Sequence, residues 1–398
     1  MNIDYFFRKQ EILLRNTSTD FVRQTYLMAM ESSDRLIALI GARGVGKTTV
    51  LLQYLKKLDT KMLYLSADDI EFTNVKMYDL VDEFYALGGR VVVIDEIHRY
   101  KNWAQEVKNI YDSFPDLTMR ISGSSMLNIL YEKFDLSRRL VVKEMKSMQF
   151  VEYLESKYGK TLSRYSFEEI LSVSNVLSKD LISKYPSLFG DFREYLKFGA
   201  YPFYMEGIDS YSEKLFNALE KIVYEDIPSL HKIDYSHLSF FNKLIFKVVA
   251  SKKPFSVSIA ALSREFGITE PTLYTYLDIV ERASIFKFMR KMSKKVSKKP
   301  QKILFSNTSI LYAYAEKFDI EVDIGTVRET FFTTAVDTVY YSDIGDFVVN
   351  GYVFEVGGKN KSFDQIKDID NGYLVVDVDF STNERKIPLW LFGFLSVS

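Results

Sequence analysis

Apolar residues along the chain fall into two kinds of run. Leu36–Ile40 (LIALI), Val91–Ile94 in RVVVIDEIH and the stretch MRISGSS (Met119–Ser125) are short and almost unbroken. Such runs predict fully buried strands, and RLVVKEM (139–145) reads as a further strand. Thr49–Leu58 (TVLLQYLKKL) and Asn102–Phe114 instead predict helices. From 147 to 250 the pattern is helical throughout, in FVEYLESKYG, FREYLKFG, KLFNALEKIVYEDI and LSFFNKLIFKVVA, with breaks at Gly199–Pro202 and Lys253-Pro254.

The next stretch predicts helix, turn, helix and hairpin. Ser258 caps a helix with Ile259, Leu262 and Phe266 on one face, and Gly267 closes it. Thr269 caps a second helix, with Pro271 in its first turn. There Leu273, Leu277 and Val280 face inward, while Thr272, Thr275, Tyr276, Asp278 and Glu281 face outward. Phe286–Asn307 then alternates apolar and basic residues around a Lys-rich turn, as a wing hairpin does. In the tail, Asn350-Gly351 predicts a two-residue type I′ turn pairing Val349 with Tyr352, Val348 with Val353, Phe347 with Phe354, and Asp346 with Glu355. The runs GYLVVDVDF and IPLWLFGFLSV complete an α/β core.

Charge divides the chain in a matching way. Residues 1–146 hold 21 basic and 20 acidic side chains, residues 147–319 hold 25 and 20, and residues 320–398 hold 6 and 13. No acid occurs from Arg282 to Ala315. The absence of cysteine excludes disulfides, thiol nucleophiles and thiolate zinc sites, and the three scattered histidines, His98, His231 and His237, argue against a histidine metal site. The N-terminus carries charge too early for a signal peptide, and no apolar run approaches the roughly 20 residues of a membrane span. A cytoplasmic protein without a membrane partner is expected.

The first strand runs into Gly41-Ala42-Arg43-Gly44-Val45-Gly46-Lys47-Thr48-Thr49 and then a helix. Glycines there let the backbone turn tightly and aim its N–H groups at phosphate oxygens, helped by the helix N-terminus. Lys47 reaches the β- and γ-phosphates and the Thr48 hydroxyl serves Mg²⁺, so ATP and Mg²⁺ are the expected ligands. A P-loop also needs a metal-side carboxylate on a neighbouring parallel strand, which Asp95 supplies; Glu96 beside it is placed to activate water. Ser122 or Ser124 either contacts the γ-phosphate or the attacking water, or simply forms a turn. Arg139 either stabilises transition-state charge or makes a surface ion pair. His98 and Trp103 read as packing for the helix that follows.

These segments together resemble an archaeal and bacterial AAA-type ATPase family. Its members read GARGVGKT, then DEIH with a downstream Trp, then TGSS, then a Gly-Arg pair, and the likeness spans most of residues 30–145. The resemblance implies that Lys47 and Thr48 bind phosphate and metal, Asp95 holds Mg²⁺ and Glu96 activates water. Ser122 stands at the family's Thr, Arg139 at its Arg, and Arg138 at its Gly. It also implies a helical region, a winged helix and a nuclease-like tail. The expected fold class is therefore α/β: an AAA-type P-loop NTPase domain (1–146), a helical lid or connector (147–252), a winged helix (253–318) and a restriction-endonuclease-like domain (319–398). On the wing, Arg290, Lys291, Lys294, Lys295, Lys298 and Lys299 are the candidates for tracking DNA phosphates.

Asp346 facing Glu355 resembles the metal-binding core of PD-(D/E)xK nucleases, with Glu329 as an additional acid. The motif's lysine position holds Gly357. Lys359 is the nearest lysine, and Gln365 follows on the next helix, so a degenerate, non-cleaving version is favoured. Two functions remain open: an ATP-hydrolysing switch whose wing contacts DNA, or a nucleotide-gated module that binds proteins or assembles with itself.

Overall fold

A computed structural model of the chain describes residues 3–123, 136, 138–230, 233, 235–292 and 299–396. The chain divides into two compact units, residues 1–146 and 147–398. In the first, helices α1 (Ile3–Asn16) and α2 (Gln24–Met30) precede alternating strands and helices: β1 (Leu36–Ile40), α3 (Lys47–Lys56), β2 (Met62–Ser66), α4 (Met77–Ala86), β3 (Val91–Asp95), α5 (Trp103–Ser113), β4 (Thr118–Gly123) and β5 (Val141–Glu144). Strands joined through crossovers of this kind run parallel, and the sheet has the order β2-β3-β4-β1-β5, parallel throughout. Every position of β1 and β3 is buried, as their unbroken apolar runs require. The order corrects one expectation. The strand bearing Asp95 does not adjoin the P-loop strand, because β4 lies between them.

The second unit opens with α6 (Phe150–Tyr158), α7 (Phe167–Lys184), α8 (Leu188–Phe198), α9 (Tyr211–Lys221) and α10 (Tyr235–Val249). Next come β6 (Phe255–Ser256), α11 (Ile259–Phe266), α12 (Glu270–Arg282), β7 (Phe286–Met289) and β8 (Lys302–Phe305), whose strands form an antiparallel sheet of order β6-β8-β7. The caps are those the sequence signals. Ser258 accepts from the Ala261 N–H, Gly267 closes α11 at φ 66°, and Thr269 accepts from the Thr272 N–H. Tyr276 departs from its expected outward place. It is buried against Phe240 and Phe241, with its hydroxyl 2.6 Å from His237 Nδ1.

Helices α13 (Thr308–Lys317) and α14 (Ile324–Ala335) lead to β9 (Tyr340–Tyr341), β10 (Phe347–Val349), β11 (Tyr352–Gly357), β12 (Gly372–Val376) and β13 (Lys386–Pro388). These strands form a mixed sheet of order β13-β12-β11-β10-β9. The hairpin has the expected register from Val349–Tyr352 to Phe347–Phe354, with Asn350 at φ 50° and Gly351 at φ 83°. There the ladder ends. The Asp346 N–H bonds the Phe354 carbonyl, and its carboxylate takes the Val356 N–H at 2.9 Å. Asp346 and Glu355 are therefore not a cross-strand pair. Aromatic rings tie the early helices of this unit to its tail: Phe192 packs on Phe331, and Phe150 on Phe394.

Candidate functional site

The loop between β1 and α3 uses left-handed backbone at Gly44 (φ 86°) and Gly46 (φ 99°), a region disfavoured for residues with a Cβ. Gly46 is the N-cap of α3 and makes no side-chain capping bond, so the positive end of the helix faces the loop without a capping side chain. Buried Lys47 bends back over the loop, donating to the carbonyls of Gly41 and Ala42 at 2.9 Å each. Around it, Val45 is buried, Ala42, Arg43 and Thr48 are half-buried, and Gly44 and Thr49 are exposed.

Strand register delivers the second half of the site. Ile94 is level with Ile121, and Leu39 with Ser122, so Asp95 and Ser122 emerge together at the carboxyl edge beside the loop. Buried Asp95 collects four donors. Its Oδ1 accepts from the Ser122 hydroxyl and from the Glu96 N–H (3.1 Å), and its Oδ2 from the Thr48 (2.5 Å) and Tyr64 (2.8 Å) hydroxyls. Burial, and next the Asp95 charge, push the Tyr64 phenol far above its ordinary range, so it stays a donor. A hydroxyl and a carboxylate at one point are the hard oxygen donors that Mg²⁺ takes alongside phosphate and water, so the residues fit that ion.

Glu96 follows in the left-handed region at φ 52°, a conformation that costs a non-glycine residue roughly 1–2 kcal/mol. Such strain persists where the surroundings enforce it, often at functional sites. Its N–H also reaches the Ser122 oxygen at 3.3 Å, and its carboxylate lies 3.5 Å from His98 Nε2. Burial first, then Arg99, Lys47 and Arg43, lower the His98 pKa to about 3, so its imidazole is neutral at physiological pH. Trp103 is buried at the start of α5.

Arg139 does not join this site. It precedes β5 at the opposite edge of the sheet, where its guanidinium makes a two-pronged contact with Asp112 (2.9 and 3.0 Å) beside the Tyr111 ring. Arg35, just before β1, covers the same ring at 4.0 Å. From Arg35 to Gly41 the chain rises about 20 Å, beyond the reach of an arginine side chain. Ser124 lies outside the described residues.

In the second unit, a lysine absent from the sequence reading occupies the acidic cluster. Lys302 of β8 is buried, with Nζ 2.5 Å from Glu329 Oε2 and 3.4 Å from Asp346 Oδ1. Burial and the Asp346 charge raise the Glu329 pKa to about 8, against the pull of Lys302. Burial, then Asp346, also raise Glu355, which is ion-paired with Lys361. Lys361 also donates to Gln365 Oε1 at 3.1 Å. Lys359, the expected partner, is exposed, because the chain turns through Gly357-Gly358 and brings Lys361 back instead. Among the described residues no three His, Cys, Asp or Glu side chains are grouped to hold a metal ion.

Two expected DNA contacts make ion pairs, the second of them exposed. Arg290 grips Glu281 with two bonds (2.8 and 2.6 Å), and Lys291 pairs with Asp343 at 2.7 Å. Lys299 is exposed, while Lys294, Lys295 and Lys298 lie outside the described residues. Nothing in the sequence flags Tyr64 or Lys302, since a tyrosine or lysine within an apolar strand carries no motif.

Residues 33–154 match the AAA domain family, and with the parallel sheet and its loop this makes the first unit an α/β P-loop domain of the AAA ATPase type. Residues 190–321 match a domain of unknown function, DUF8612. An uncharacterized protein of Methanocaldococcus jannaschii is 31% identical over 308 residues, an alignment covering 72% of this chain and 64% of that protein. Among solved structures, the Walker-type ATPase of Pyrococcus abyssi aligns at TM-score 0.43 and 12% identity, over 75% of this chain and 97% of that one. The RuvB Holliday junction branch migration motor of Thermotoga maritima aligns at 0.32 and 15%, over 78% and 99%. Among the described residues no helix is long and apolar enough to cross a membrane.

Proposed function

We propose that the first unit binds ATP with Mg²⁺ and hydrolyses it, and that turnover switches the second unit between states in the cytoplasm. The observation that carries this reading is the hydrogen-bonded set Thr48–Asp95–Ser122–Glu96 at the mouth of the Lys47 loop. Loop amides and the Lys47 ammonium hold the triphosphate. When bound, Mg²⁺ supplies positive charge to the phosphate oxygens; Thr48 and Asp95 are the residues that hold it. Glu96 takes a proton from water as the water oxygen attacks the γ-phosphorus and the bond to ADP breaks. Ser122 fixes both acids, through Asp95 Oδ1 and the Glu96 N–H. Arg139 has no part in the site of its own chain.

Purified protein tests this directly. Glu96→Gln keeps ATP binding while kcat falls about 10²–10⁴-fold, and Lys47→Ala loses binding. Equal turnover by Glu96→Gln and the parent chain removes Glu96 as the base.

For residues 253–318 a winged helix is the reading supported by α11, α12 and the β7–β8 hairpin. Residues 319–398 read as a nuclease-like fold that does not cleave, since the motif's lysine position holds Gly357 and Lys359 is exposed. With Arg290 held by Glu281, the interaction reading, a nucleotide-gated module that binds protein, is favoured over DNA contact.

A further inference from the structure

We infer that Tyr64 is a positioning residue for Mg²⁺, holding the Asp95 carboxylate in place as the metal takes the Thr48 hydroxyl. The inference rests on the proposed nucleotide site and adds a residue from β2, a strand outside the P-loop and acidic motifs. In the parallel register Tyr64 is level with Val93, two positions before Asp95 on the same face of β3, and its side chain leans along the strands to reach the carboxylate.

A carboxylate offers about four lone-pair sites, and all four on Asp95 are occupied. Ser122 and the Glu96 N–H hold Oδ1, while the Thr48 and Tyr64 hydroxyls share Oδ2. The Thr48 oxygen can offer Mg²⁺ a lone pair while its O–H still donates to Asp95 Oδ2. Tyr64 is the second side-chain donor on that oxygen, fixing the carboxylate against which Thr48 is oriented. Tyr64 is only 4% exposed, so water does not readily replace it. Mg²⁺ demands near-ideal octahedral geometry, so a carboxylate free to rotate binds it less well. Hydrogen-bond partners of metal ligands typically alter affinity about 10–100-fold when removed.

The test uses the full chain saturated with a non-hydrolysable ATP analogue, into which Mn²⁺ is titrated by calorimetry. Analogue binding in EDTA is measured in parallel with a fluorescent derivative. Tyr64→Phe keeps the ring and removes the hydroxyl. It is expected to weaken Mn²⁺ about 10-fold and leave metal-free analogue affinity within about 2-fold. Equal Mn²⁺ affinity in variant and parent overturns the role of Tyr64 while the nucleotide site stands. So does an equal loss of metal-free and metal-dependent binding, which marks general disruption. A parent chain that binds no analogue, or binds it without taking Mn²⁺, overturns the nucleotide site and the Tyr64 role together. Should Tyr64→Phe fail to fold, 3-fluorotyrosine placed at Tyr64 gives a fluorine resonance that shifts when Mg²⁺ joins the analogue; an unmoved resonance overturns the inference.

Discussion

Gly41 ends β1 so close to the strand beside it that a Cβ there would lie 2.3 Å from the Met145 carbonyl oxygen. The conflict is with backbone, which no rotamer change relieves. Gly41→Ala is expected to destabilise the first unit by about 1–3 kcal/mol, seen as a lower urea midpoint, and to weaken nucleotide binding as the loop shifts. An unchanged midpoint would show that β5 yields freely. Lys47, Thr48 and Asp95 were legible in the sequence because each belongs to a short motif between predictable elements. Tyr64 was not. Its hydroxyl matters only because β2 pairs with β3, and pairing between strands some thirty residues apart leaves no local pattern.

Among elements, the tail hairpin shows how far turn chemistry reaches. Asn350-Gly351 sets the register for three pairs, but at Asp346 the side chain competes for a backbone amide and the ladder stops. The acids then meet a strand and a helix from elsewhere in the unit, β8 through Lys302 and α14 through Glu329. The Glu329 pKa of about 8 exceeds the ordinary glutamate value, so the folded chain binds an extra proton between about pH 4.5 and 8. The contribution of Glu329 to stability therefore declines as pH rises through that window. Relative to Glu329→Gln, the parent chain is expected to lose up to about 1.4 kcal/mol per pH unit, measured by urea unfolding from about pH 5 to 9. Parallel pH profiles would show that Glu329 ionises normally.

For the whole molecule, the run of basic residues suggested a surface for phosphates, yet folding uses part of it internally. Arg290 is held by two bonds to Glu281, whereas Lys291 makes an exposed pair with Asp343 that is worth little. Fluorescence anisotropy with a duplex of about 20 base pairs is expected to show no saturable binding at about 150 mM salt, with or without ATP and Mg²⁺. Saturable binding that weakens steeply with salt would restore the DNA reading. What the sequence alone determined is the local part: buried strands, helix caps, the hairpin turn, and a glycine-rich loop running into a helix, each specified by residues near one another in the chain. Tertiary structure alone decided the rest. It put β4 between β1 and β3, set Arg139 at the far edge of the sheet, gave Asp95 its Tyr64 donor, and seated Lys302 among the acids. Those outcomes depend on which strands pair and on burying charge only beside its opposite, energies that arise between segments remote in sequence.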